Sequence, residues 1–266
     1  MRVEAVVADL DGTLVREDFC VSDATVHALD MIRAAHIPVV IATARTLPGL
    51  QHLTAVAERA DVAVCCSGAI GWSRRQGRLW QEQLSPATIC RIVKLAIDQG
   101  AGVASFDGEL WRMSKEYAHL SPGQPHGPRR ATVELAELAS SPCSTMAVRR
   151  SGPDLGNLAE LLAGQTNAAL SHVGHATVLD ITPAGVDKGT GARRALAVLD
   201  IDPSAAVSFG DMPNDLSLFA ATGRSYAVGD RHPAVVRAAH EVLESVEHEG
   251  FSRKVADFAN AEWNTE

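Results

Sequence analysis

The 266-residue chain has no apolar run near the ~18 residues that a membrane span requires, so none is expected. Cysteine is scarce, and the five present (Cys20, Cys65, Cys66, Cys90, Cys143) are odd in number and lack any C-x-x-C. That excludes a disulfide framework and the usual zinc spacing, and it points to a reducing cytoplasm. Basic residues are in deficit, 24 Lys and Arg against 32 Asp and Glu, for a formal charge of −8. A chain that coats nucleic acid or anionic lipid needs the opposite balance, so neither is an expected partner. Glu4 and Asp9 interrupt the apolar start before a signal-peptide core could form, and no internal repeat or low-complexity tract appears. What is present is 46% apolar residues with 21% charged, the composition of a folded globule. At roughly 150 residues per domain, the length suits two modest domains or one with a large insertion.

Along the chain, short apolar runs at 3–8, 38–42 and 62–66 alternate with helical periodicity. Ser22 is placed to cap a helix whose Ala28, Leu29, Ile32 and Ala35 share a face, and Leu50, Leu53, Ala57 and Ala60 mark a second helix. Strand, helix, strand, helix, strand predicts an α/β core with a doubly wound parallel, Rossmann-like sheet. The rhythm then breaks. A strand at 78–84, a helix opened by Ser85-Pro86 and two strands around Asp107-Gly108 are followed by a polar loop at 119–130. Helices near 133–138 and 155–162 then intersperse with strands near 145–148, 168–173 and 176–181. Residues 81–182 are therefore expected to form an inserted α+β domain that divides a core of 1–80 and 183–266. After Pro183 the α/β rhythm returns with a helix from Lys188, a strand at 205–209, a helix at 216–221, a last strand at 226–228 and a helix at 233–243.

Ligands of open α/β sheets bind beyond the carboxyl ends of the strands. Those positions hold Asp9, Asp11, Thr43, Ser67 and Asp211, with Asp215 a turn further on. Four carboxylates at one sheet edge need protons or a cation to offset their repulsion. Mg²⁺ answers that need, because it takes hard oxygen ligands and bridges to phosphate.

Asp9-Leu10-Asp11-Gly12-Thr13-Leu14, then Thr43-Ala44-Arg45, Lys188 and Gly210-Asp211-Met212-Pro213-Asn214-Asp215 resemble the four ordered motifs of the haloacid dehalogenase-like hydrolases. The order, the spacing and the inserted domain are similar to the Cof-type phosphatases, whose class IIB cap lies between the third strand and the lysine. The resemblance implies a Mg²⁺-dependent phosphatase acting on small phosphorylated metabolites, sugar phosphates first. In it Asp9 attacks phosphorus, and Asp11 serves as general acid and then base. Gly12 offers its N–H to the phosphate, Thr43 its hydroxyl and Ala44 its N–H, while Lys188 neutralises charge and Asn214 orients the phosphate or the carboxylates. Asp9, Asp211 and the Asp11 carbonyl would hold Mg²⁺, with Asp215 behind them, directly or through water.

Two positions depart from the family pattern: Ala44 stands where glycine is usual, and Ser67 where asparagine is usual. A phosphomutase would use the same Asp9 and Asp11 and return the phosphoryl group to a second hydroxyl. A non-catalytic phosphate-binding protein is the rival from another class. Oligomeric state is not legible in the sequence. Arg45 reads equally as a motif residue or an exposed helix-start arginine, His172 and His175 as strand and turn residues, and Arg112, Lys115, Arg129 and Arg130 as solvated cap cations.

Overall fold

The computed structural model describes residues 2–121, 128–152, 155–171 and 178–263 in full and, for 172–173, the backbone. Its first stretch lays down β1 (Ala5–Ala8), β2 (Val39–Ala42), β3 (Val62–Cys65), β4 (Ile70–Ser73) and β5 (Gly77–Gln81). The middle adds β6 (Gly102–Phe106), β7 (Leu110–Met113), β8 (Arg129–Thr132), β9 (Thr145–Arg149), β10 (Ala169–Val173) and β11 (Val178–Thr182), and the last stretch β12 (Ala206–Gly210), β13 (Arg224–Val228) and β14 (Glu241–Leu243). Two sheets result, an eight-stranded one in the order β14-β13-β12-β1-β2-β3-β4-β5 and a six-stranded one in the order β10-β11-β9-β6-β7-β8.

In the larger sheet β1 is central, flanked in parallel by β12 and β2, with β3 parallel beyond β2. These strands are covered on both faces, which is why they read as unbroken apolar runs. On one face Val6, Ala8, Val39 and Ile41 join the buried residues of the helices Asp23–Ala34 and Gly250–Asn260. There Phe209 stacks on Tyr226 at 5.0 Å and meets Phe251 edge-on at 4.9 Å. On the other face Ala5, Val7, Val40 and Val64 pack with Ala192, Ala195 and Leu196 of the helix Lys188–Val198. The chain is thus an α/β protein with helices on both sides of a mainly parallel sheet.

The smaller sheet is antiparallel apart from the β7–β8 pair. Helices Pro86–Asp98, Leu135–Ser140 and Gly156–Gln165 cover one face, burying Ile89, Leu138 and Leu162 against Val103, Met146 and Leu179. Toward the larger sheet, β11 runs beside the Cys66–Gly68 turn and β10 beside the Pro213–Asp215 turn. Phe106 and Trp111, with rings 5.4 Å apart, pack into the larger sheet's core. The smaller sheet therefore lies over the carboxyl ends of β3 and β12.

Several local expectations are corrected. The edge of the larger sheet is an antiparallel meander, β3-β4-β5, and β4 went unanticipated because Gly71 weakens its strand pattern. Gly71 is tolerated because it pairs with Trp80, whose ring occupies the space of a Cβ. The second expected helix is two, Leu47–Gln51 and Thr54–Ala57, interrupted at Leu53 (φ −89°, ψ 65°). Within the expected loop at 119–130, Arg129 and Arg130 belong to β8, while 122–127 lie outside the described residues. His119 and Leu120, also expected in that loop, end the helix Lys115–Leu120, which Ser114 caps. Residues 176 and 177 of the last expected cap strand, and His175, also lie outside the described residues. The helix expected at 233–243 stops at Ala238, and Glu241–Leu243 is a further parallel strand on β13.

Candidate active site

Asp9 follows β1, and its N–H donates to the Phe209 carbonyl of β12 at 2.9 Å, so the two strand ends are bonded where the site begins. The loops after β2 and β3 are joined in the same way. Thr43 N–H donates to Val64, Cys66 N–H to Arg45 and Ser67 N–H to Thr43, at 2.8, 2.9 and 3.0 Å. Lys188 opens the helix Lys188–Val198, which is fixed by a capping box in which Asp187 accepts the Thr190 N–H at 2.7 Å. The Lys188 ammonium is fully buried and lies 2.7 Å from both Asp9 Oδ1 and Asp215 Oδ1. The second Asp215 oxygen accepts the Asp211 and Met212 N–H groups at 3.0 and 3.1 Å.

Asp9, Asp211 and Asp215 are all buried, and one carboxylate oxygen from each lies within 4.8 Å of the others. Burial first, and then repulsion from Asp215, push Asp211 up to about 7. The same two causes, partly offset by Lys188, hold Asp9 well above the ordinary carboxylate range. Burial opposes the charge on Lys188, but Asp215 and Asp9 outweigh it and hold the ammonium above the usual lysine value. Three buried carboxylates against one ammonium leave excess negative charge among hard oxygen donors. That donor set fits a divalent cation such as Mg²⁺.

Asp11 lies outside this cluster. Its carboxylate is half exposed and held by the Arg45 fork, Nε at 2.8 Å and the terminal nitrogen at 2.5 Å. The Gly12 N–H donates to the Val15 carbonyl at 2.9 Å. Its lack of a side chain also matters, since at φ 84° a Cβ would run into the Asp211 carboxylate. Thr43 is buried, and its hydroxyl accepts the Arg45 N–H at 3.1 Å. Ala44 takes an ordinary negative φ, so the residue found where glycine is usual costs the loop nothing. The Asn214 side-chain oxygen is buried and unpartnered.

Asp9, Asp11, Gly12, Thr43, Ala44, Lys188, Asp211 and Asn214 line one open cavity of about 390 Å³, with Asp215 behind Lys188. Arg16, Phe19 and Arg231 also line it, and the sequence reasoning passed over all three. Arg231 stands 4.0 Å from Asp211. It follows β13, so the strand-end rule could have found it. Arg16 is ion-paired with Glu249, and only tertiary contact brings that pair together. Arg45 is shown to be more than an exposed helix-start arginine. Cys65 and Cys66 are buried, and burial raises both thiols.

A family model described as haloacid dehalogenase-like hydrolase matches residues 6–255. The chain is 24% identical over 237 residues to an HMP-PP phosphatase of Enterobacter sp. (strain 638), covering 86% of this chain and 85% of that one. An HMP-PP phosphatase of Citrobacter koseri is 23% identical with the same coverage. Among solved structures, a sugar phosphatase of subclass IIB superposes with a TM-score of 0.86 at 19% identity, covering 97% of this chain and 99% of that one. A protein of Bacteroides thetaiotaomicron, from a study of this superfamily's phosphatases, gives 0.83 at 21% identity, covering 97% and 96%.

Proposed function

The chain belongs to the haloacid dehalogenase-like hydrolases, and from that membership we propose that it is a Mg²⁺-dependent phosphatase acting on phosphomonoesters of small metabolites, sugar phosphates first. The observation that carries the reading is the pairing of Asp9 with the buried Lys188 ammonium at 2.7 Å, at the floor of a cavity whose mouth carries Asp11. The phosphatase names of the relatives support the same class.

Asp9 attacks phosphorus and forms an aspartyl-phosphate, dividing one hydrolysis into two easier steps. Asp11, two residues on and half exposed at the cavity mouth, donates a proton to the leaving oxygen and later takes one from water. The Arg45 fork sets the direction of its carboxylate. Lys188 keeps Asp9 in position and balances charge as the phosphoryl group arrives, and Thr43 and Ala44, which line the same cavity, would offer a hydroxyl and an N–H to it. Mg²⁺ would be held by Asp9, Asp211 and the Asp11 carbonyl, with Asp215 supporting through Lys188 and the Asp211 N–H, and it would neutralise carboxylates and polarise phosphoryl oxygens. The buried thiols are compatible with a cytoplasmic setting.

Release of inorganic phosphate from phenyl phosphate tests the reading. The wild type is expected to need Mg²⁺, and Asp9→Asn to lose at least about 10³-fold in kcat while remaining folded. Full activity in Asp9→Asn would remove Asp9 from its role.

A further inference from the structure

In a chain with a deficit of basic residues, four arginines line one groove. It encloses about 440 Å³ at the amino end of β3, with Arg33, Arg59, Arg74 and Arg75 in its wall against two acids, Glu58 and Asp61. The arginines come from separate segments: Arg33 lies in the last turn of the helix Asp23–Ala34, Arg59 follows the helix Thr54–Ala57, and Arg74 and Arg75 lie between β4 and β5. No lining residue is shared with the candidate active site. The two lie at opposite ends of the same elements. Strand β3 runs from Val62 in the groove to the Cys66–Gly68 turn, and the helix Lys188–Val198, roughly 16 Å long, runs from Lys188 in the active site to Val198 in the groove.

Part of this charge is already engaged. Arg59 holds Asp30 through two nitrogens at 2.7 and 2.8 Å and donates from the third to the Ala55 carbonyl at 2.9 Å. The Asp61 carboxylate accepts the Val39 N–H at 2.9 Å. Arg33, Arg74 and Arg75 are exposed and make no hydrogen bond or ion pair among the described residues. Guanidiniums gathered at one groove repel one another, and an anion offsets that repulsion. Their planar forks match the oxygens of phosphate and stack on flat rings. The wall is also apolar. Val198 is 44% exposed although it ends a helix where a polar residue would cost nothing, and half-buried Leu199 lies beside it. A volume of about 440 Å³ falls in the range of small-molecule sites.

We propose that this groove is a second ligand site, separate from the phosphatase centre, for a small molecule that joins a phosphate chain to a flat or apolar group, the chemistry of a nucleoside polyphosphate. Arg33, Arg74 and Arg75 take the phosphates, and Val198 and Leu199 take the flat group.

Calorimetric titration of the full chain in chelator, with ATP, tripolyphosphate and adenosine as probes, tests the site. ATP is expected to bind saturably, and more tightly than tripolyphosphate or adenosine. Arg33→Glu and the double variant Arg74→Glu/Arg75→Glu alter different elements, and each should raise the Kd for ATP at least about 10-fold, as the loss of hydrogen bonds between charged groups predicts. Arg193→Glu/Arg237→Glu changes the charge of two exposed arginines outside the groove and should leave that Kd within about 2-fold of wild type, because such remote charges are screened by salt. An unchanged Tm in each variant shows that binding, and not folding, was altered; should the double variant fail to fold, Arg33→Glu decides alone. No saturable binding of ATP, an unchanged Kd in the groove variants, or an equal loss in the Arg193→Glu/Arg237→Glu control would overturn the site. Tripolyphosphate binding as tightly as ATP would overturn the assignment of a flat group to Val198 and Leu199. The titration needs neither Mg²⁺ nor turnover, so its outcome is independent of the phosphatase reading.

Discussion

A single carboxyl, Asp180, shows how the interior of this protein sets the behaviour of one residue. Burial pushes it up to about 7 and the Lys188 ammonium lowers it only in part, so its folded value lies above the unfolded one. The folded state then binds more protons than the unfolded state between about pH 4 and pH 7. Asp180 consequently costs nothing below about pH 4, and its destabilisation grows as pH rises, reaching its full extent above about pH 7. Asp180→Asn should raise Tm by a few degrees at pH 8 and change it little at pH 4, measured by thermal unfolding across that range. An equal shift at both pH values would contradict the assignment.

Among the elements, those with strong local signals were legible in the sequence. Ser22 and Ser85 cap the helices expected of them, and Asp107-Gly108 turns the β6–β7 hairpin. The weak ones are short edge strands whose identity depends on a partner, such as β4, which relies on Trp80, and β14, which exists because β13 offers it an edge. Within the site, the strand-end rule located Asp9, Asp11, Thr43 and Asp211 without knowledge of the sheet order. The ion pair of Arg45 with Asp11 and the left-handed backbone of Cys66 and Ser67 arise from contacts between loops, which no local pattern encodes. The turn after β3 is the most demanding element. Gly68 adopts φ 108°, and a side chain there would strike the Asp187 carbonyl at the start of the Lys188 helix. Gly68→Ala is expected to destabilise the protein by roughly 1–3 kcal/mol and to lower phosphate release as well, since the same turn and helix carry Ser67 and Lys188. Wild-type stability and activity in that variant would show the contact to be dispensable.

For the whole molecule, the deficit of basic residues takes on a different meaning once the fold is known. The acids at 9, 211 and 215 are concentrated in one buried cluster with a single ammonium. A divalent cation bound there stabilises the folded chain by mass action, because the unfolded chain has no preformed site. Millimolar Mg²⁺ should therefore raise Tm over that in chelator, and Asp211→Asn should shrink the increment. An identical Tm with Mg²⁺ and with chelator would count against the site. The smaller sheet lies over the ends of β3 and β12, so that the larger sheet holds the proposed phosphoryl-transfer residues and the strands β10 and β11 wall the cavity beside them.

The central claim is that Asp9 carries the phosphoryl group, and intact-protein mass spectrometry of acid-quenched Asp11→Asn after brief incubation with phenyl phosphate and Mg²⁺ addresses it most directly. Impaired turnover of the intermediate should leave the mass of one phosphoryl group on the peptide containing Asp9, and Asp9→Asn in the same background should abolish it. An adduct on another residue, or steady hydrolysis by the Asp9→Asn protein, would contradict the account.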